Sequence, residues 1–144
     1  MKARMALLGA GLLLAAGVVV GQQGPPEDPL AGLVFPPELV MRHQQAIELQ
    51  PEQKAYIREE VLTVQTQFTE LQWQLEDAGE SMRALLEQPR VDEEQVLAQL
   101  ERVLDTERQI KRLQIALLVR IKNKLTPEQQ ARLRELRSRE PPPF

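Results

Sequence analysis

Between residues 57 and 85 the apolar side chains recur at alternating steps of four and three: Ile57, Val61, Val64, Phe68, Leu71, Leu75, Ala78, Met82 and Leu85. A 3.5-residue repeat held over nine positions predicts one long helix with a single narrow seam, and such a seam must face another helix. From Pro51 to Gln88 that helix would run about 55 Å at roughly 1.5 Å per residue, so the molecule is expected to be elongated. Gly79 lies inside it, where glycine costs about 1 kcal/mol relative to alanine and marks a candidate bend.

The chain then turns at "QPRVDEEQV". Pro89 ends the first long helix, Asp92 is an N-cap, Gln95 three residues later completes a capping box, and Val91 and Val96 can form a hydrophobic staple. The next apolar positions, Val96, Leu100, Val103, Ile110, Leu117 and Ile121, predict a second long helix over 93–124, with Glu107 and Gln114 as interruptions. A short connection between matched seams predicts an antiparallel hairpin. Two helices alone leave each seam half covered, so further apolar surface is expected from short flanking helices or from a second chain.

One pattern occurs twice at the outer ends of this hairpin. In "LTPEQ", Thr126 is an N-cap, Pro127 takes the first helical position, Glu128 favours the helix dipole, Gln129 closes a capping box, and Leu125 packs inward. The earlier copy keeps Leu49, Pro51, Glu52 and Gln53 but has Gln50 where the other has Thr, which predicts a weaker cap. Each copy is a sharp break followed by a new helix. Before the first lies "ELVMRHQQAIEL", a short amphipathic helix with His43 on the face of Leu39 and Ile47.

Composition agrees with an all-α fold: aromatics are 3% and the chain has 7 glycines, while Gln, Glu, Leu, Arg and Ala dominate. The first 21 residues differ from the rest, with Lys2 and Arg4, an apolar run from Met5 to Val20, then Gly21. This is the order of a secretory signal cleaved after Gly21, because sixteen apolar residues that include three glycines fall short of the roughly 20 a spanning helix needs; an uncleaved anchor is the competing reading. With no cysteine, a lipoprotein anchor and disulfides are excluded. An exported bacterial protein of this kind belongs in the periplasm, touching membrane only through the signal before cleavage. Residues 22–37 read as a flexible Pro/Gly-rich lead-in, 38–139 as the helical domain and 140–144 as a Pro-rich tail.

The signal, the two L-x-P-E-Q helix starts 76 positions apart, the long hairpin between them and "PRVDEEQV" at its tip resemble the Spy/CpxP family of periplasmic proteins, with its LTxxQ motif, and its heavy-metal-resistance and metal-sensor relatives. The resemblance spans about Glu38 to Leu136. It implies an elongated four-helix hairpin, typically a curved antiparallel homodimer, and three kinds of activity. These are ATP-independent chaperoning of unfolded clients, binding or sensing of zinc, nickel or cobalt, and regulation of an envelope-stress sensor kinase through its periplasmic domain.

The residues weigh unevenly on these. Zinc, nickel and cobalt sites want His or Cys, helped by carboxylates. Beyond the signal the chain offers His43, no Cys, and Met41 and Met82. A lone His on an apolar face is more often packed than ligating, so the metal set is read as none, with His43 as the one candidate; a two-His site shared across a dimer, helped by Glu48 or Glu60, is the alternative. No nucleophile triad or phosphate loop can be assembled, so no enzyme and no cofactor is expected.

Charge separates the halves. Without Lys2 and Arg4 the net charge moves from −3 to −5, yet Arg108 to Arg139 holds ten Lys or Arg against Glu128 and Glu135. Nucleic acid is no partner for an exported chain, which leaves a solvated face against the acid-rich helix 51–88, an acidic partner, or an anionic membrane. Arg132, Arg134 and Arg137, with the off-seam Leu62 and Trp73, are the candidate client or dimer surface.

Overall fold

The computed structural model describes Leu30 and residues 32–140. The expected signal at 1–21, residues 22–29 and 31 of the lead-in, and residues 141–144 lie outside the described residues. Four helices follow one another, α1 (Pro37–Arg42), α2 (Pro51–Leu86), α3 (Glu93–Lys124) and α4 (Pro127–Arg139), with no strand among the described residues. The fold is all-α, and α2 and α3 pack against each other as the expected hairpin. With 36 and 32 residues, the two long helices are about 54 and 48 Å long at ~1.5 Å per residue.

The helix starts follow local chemistry. Asp92 Oδ1 accepts from Gln95 N at 3.2 Å to open α3, but Gln95 sends its own amide to Asp92 Oδ2 rather than closing a box onto the backbone. Thr126 Oγ1 accepts from Gln129 N at 3.2 Å, and Gln129 Oε1 accepts from Thr126 N at 2.9 Å, a complete capping box at α4. At α2 the capping-box arrangement recurs, with Gln53 Oε1 accepting from Gln50 N at 3.0 Å, while the Gln50 amide turns back to donate to Glu48 O at 2.8 Å.

The apolar core sits at one end of the hairpin. Phe35, Leu39, Val40, Ile47, Ile57, Ile121, Leu125 and Leu133 form it, with Leu49, Tyr56, Val61, Leu117 and Leu136 packed around it. Phe35 is fully buried, so the stretch that reads from sequence as a flexible lead-in ends in a core residue. The short amphipathic helix ends earlier than its pattern suggests: α1 stops at Arg42 and residues 43–48 form turns, with Glu48 at φ +52°. Lys54 Nζ donates to Gln44 Oε1 at 2.6 Å and ties this turn to α2.

Along α2 all nine expected seam positions are buried or half-buried. On α3 the phase differs from the sequence expectation. Leu100, Glu107 and Gln114 are exposed, and the facing row is Val96, Gln99, Val103, Thr106, Ile110, Leu113 and Leu117. Its two polar members are satisfied internally, which is the condition for burying them. Gln99 Nε2 donates to Ala78 O at 2.9 Å across the hairpin, where the small Ala78 leaves room, and Thr106 Oγ1 donates to Arg102 O at 3.0 Å.

Candidate functional site

The repeated motif turns out to be one structure made by two copies. Gln53 and Gln129, each the third residue of its helix, lie side by side and buried. Gln53 Nε2 donates to Gln129 Oε1 at 2.8 Å and Gln129 Nε2 returns a bond to Gln53 Oε1 at 2.9 Å. Each oxygen also accepts its own N-cap amide, Gln50 N at 3.0 Å and Thr126 N at 2.9 Å. Each nitrogen also donates to the backbone ahead of the other helix: Gln53 Nε2 to Lys124 O at 2.8 Å, and Gln129 Nε2 to Ile47 O at 3.3 Å. Both amides thus use two donors and two acceptor positions, the full capacity of a glutamine. Leu125 is buried below this pair and Leu49 packs against the same core, so each motif supplies one apolar anchor and one polar clasp. Pro51, Glu52, Pro127 and Glu128 open the first turns of α2 and α4 around it. The sequence marks both glutamines as caps; only their recurrence in the two copies hinted that they meet.

His43 is not on a helix face but caps the C-terminal end of α1. Its Nε2 lies 2.9 Å from Glu140 Oε1, and Arg42 Nη1 reaches both oxygens of that carboxylate at 3.2 Å. An ionised carboxylate only accepts, so Nε2 carries the proton in this contact. The bonds from His43 and from Arg42, that of His43 first, hold the Glu140 carboxyl below the ordinary glutamate range. Glu140, which the sequence reading placed in a Pro-rich tail, therefore latches the end of α4 to the end of α1. The proposed helpers do not arrive at His43: Glu60 pairs with Arg120 Nη1 at 2.9 Å, and Glu48 sits in the left-handed turn. Among the described residues no three His, Cys, Asp or Glu side chains form a group that could hold a metal ion. Within one chain the described donors around His43 fall short of the four ligands of a closed zinc site.

The arm of the hairpin beyond the core is different. Leu62 and Trp73 are 65% and 64% exposed and lie eleven residues apart on one edge of α2, about three turns along it. On α3, Leu97, Leu100, Leu104, Ile115 and Val119 are all exposed and fall on a common edge by their spacing of three, four, eleven and four. Around Ile115 and Val119 a depression of about 650 Å³ is rimmed by Arg108, Lys111, Arg112 and Arg120. The basic residues of α4 are more engaged. Arg132 and Arg139 both pair with Glu135, at 2.6 Å for Arg132, and hold that carboxyl below its usual range. Arg137 is half-buried, with Nη1 shielded and without a hydrogen-bond partner, and Arg134 is exposed.

The architecture defines a class: an extended helical hairpin, open along its arm and closed at its base by a pair of like helix starts. The family model described as heavy-metal resistance matches residues 5–136, and the chain belongs to that family. No curated protein and no solved structure matches it.

Proposed function

We propose that this heavy-metal resistance family member is an exported, periplasmic, non-enzymatic protein that holds unfolded clients without ATP, as a homodimer. The observation that carries the reading is the row of uncovered apolar side chains on the arm, from Leu97 to Val119, which ends in the basic rim on α3. Exposed apolar groups such as Leu97, Leu100 and Leu104 cost free energy in water unless something covers them. Shallow apolar contact supported by charge gives modest affinity, on the order of micromolar, and weakens with salt as the Debye length falls below about 8 Å. The protein in molar excess over a heat-unfolded or reduced model client is expected to suppress its aggregation. Salt should weaken the effect, as should charge reversal at Arg132, Arg134 and Arg137 and substitution of Leu100 and Leu104 by Ser. Aggregation unchanged at every ratio by folded protein would remove the chaperone reading and favour a docking role on the periplasmic domain of a sensor kinase.

Family membership favours one further reading, a sensor or resistance protein that binds zinc, nickel or cobalt. Calorimetric titration with each metal is expected to show nothing tighter than tens of micromolar, roughly −6 kcal/mol. Submicromolar binding lost in His43→Ala would put this reading first.

A further inference from the structure

From Arg108 to Lys124 the chain has six cations and no acid, Arg108, Lys111, Arg112, Arg120, Lys122 and Lys124, although the whole chain carries −3. Two of the six are matched by carboxylates, Arg108 with Asp105 at 3.1 Å and Arg120 with Glu60 at 2.9 Å, and Lys124 Nζ sits 4.8 Å over the Tyr56 ring. Lys111, Arg112 and Lys122 have no ion-pair partner among the described residues. Between them Ile115 and Val119 stand exposed over the depression of about 650 Å³.

Exposed aliphatic side chains inside a ring of long cationic ones, on the outer edge of a long helix, form the arrangement by which a helix lies on a lipid surface. The aliphatic groups enter the headgroup boundary, and the cationic stems extend along it to reach phosphates. We propose that this edge of α3 docks the protein on an anionic bilayer. A bilayer suits it better than an acidic polypeptide because Arg108, Lys111, Arg112 and Lys122 are spread along the helix edge that carries Ile115 and Val119, with no convergent fork that would fix individual carboxylates. The acid-flanked half of α3, with Glu93, Glu94 and Glu101, is repelled by the same surface, so the base would be held and the arm left free. This docking shares Ile115, Val119 and the basic rim with the end of the client-binding row but takes a different ligand, and Leu100 and Leu104 belong to client binding alone.

The test is co-sedimentation of the full chain with phosphatidylcholine vesicles and with vesicles containing about one third phosphatidylglycerol, read as the ratio of the two partition coefficients so that the apolar residues 5–20 contribute equally to both. The Lys111→Glu/Arg112→Glu variant should lower that ratio by tenfold or more, given about fivefold per Lys or Arg near an anionic surface. Arg83→Glu/Arg90→Glu at the tip, with the same net charge change, should leave it unchanged. Ile115→Ser should weaken binding to the anionic vesicles alone, and it serves in place of the double variant if that loses helicity. Equal effects of the base and tip variants would overturn the proposal. So would a soluble polyglutamate peptide that binds the α3 edge while the vesicles do not.

Discussion

At the base of the hairpin, Ile57 of α2 and Ile121 of α3 are out of solvent, screened by α1 and α4 and by the paired Gln53 and Gln129. About 31 Å along α2 from Ile57 (21 residues at ~1.5 Å), Ala78 faces Gln99 with no third helix over them among the described residues. The same two helices make both regions. At the base, eight apolar residues share a closed core, whereas in the arm the buried residues are Val64, Ala78, Gln99 and Thr106, half of them polar. A two-helix layer can bury only the line where its members touch, so apolar residues one step off that line remain in water. The buried apolar core is concentrated where four helices meet, and exposed apolar surface where only two do.

The largest effect should come from testing that concentration directly. Ile121→Asp places an unpaired charge among Phe35, Ile57 and Leu133 and should cost at least about 3 kcal/mol, enough to unfold the base. Leu75→Asp, in the half-exposed seam of the arm, should cost clearly less and leave a cooperative melt. Urea unfolding followed by circular dichroism compares them, and equal losses would break the distinction between base and arm.

A second test concerns the polar clasp. Gln53→Ala and Gln129→Ala each strand a buried amide and a backbone carbonyl, at about 1–3 kcal/mol apiece. Because each removes the partner of the other, the double variant should fall short of the sum by about 1 kcal/mol or more in a double-mutant cycle. Strict additivity would mean the amides act only as separate helix caps.

In the arm, a methyl group added at Gly79 would meet nothing within 4 Å, and the backbone there is ordinary helix. Gly79→Ala should therefore stabilise α2 by up to about 1 kcal/mol, raising the melting temperature without altering the fold. A loss of stability there would mean that the arm needs glycine for a bend.

The smallest expected effect is the pH dependence of the latch between α1 and α4. Glu140 has its carboxyl lowered in the folded state by His43 and Arg42, so the unfolded chain binds that proton more readily. Its contribution is present above the ordinary glutamate range and is lost as pH falls through and below it. Thermal melts of wild type and Glu140→Gln should differ at pH 6 and converge toward pH 3. A constant gap would show that the latch does not act through ionisation.

Much of this molecule follows from the chain alone. The α2 seam from Ile57 to Leu85, the Asp92 and Thr126 caps, the proline starts at Pro51 and Pro127, and the hairpin itself are written in short-range periodicity and in residues that bond to their own neighbours. The phase of α3 was not, because a pattern of apolar residues favours Leu100 over Gln99. Only the facing Ala78, with space and a carbonyl oxygen to accept from it, makes the glutamine the better seam residue. The meeting of Gln53 with Gln129, and of His43 with Glu140, joins residues 76 and 97 positions apart. Local sequence settles where a helix begins and which way its apolar face turns, but which polar groups find one another depends on where the chain returns, and that is fixed only when the core closes at the base.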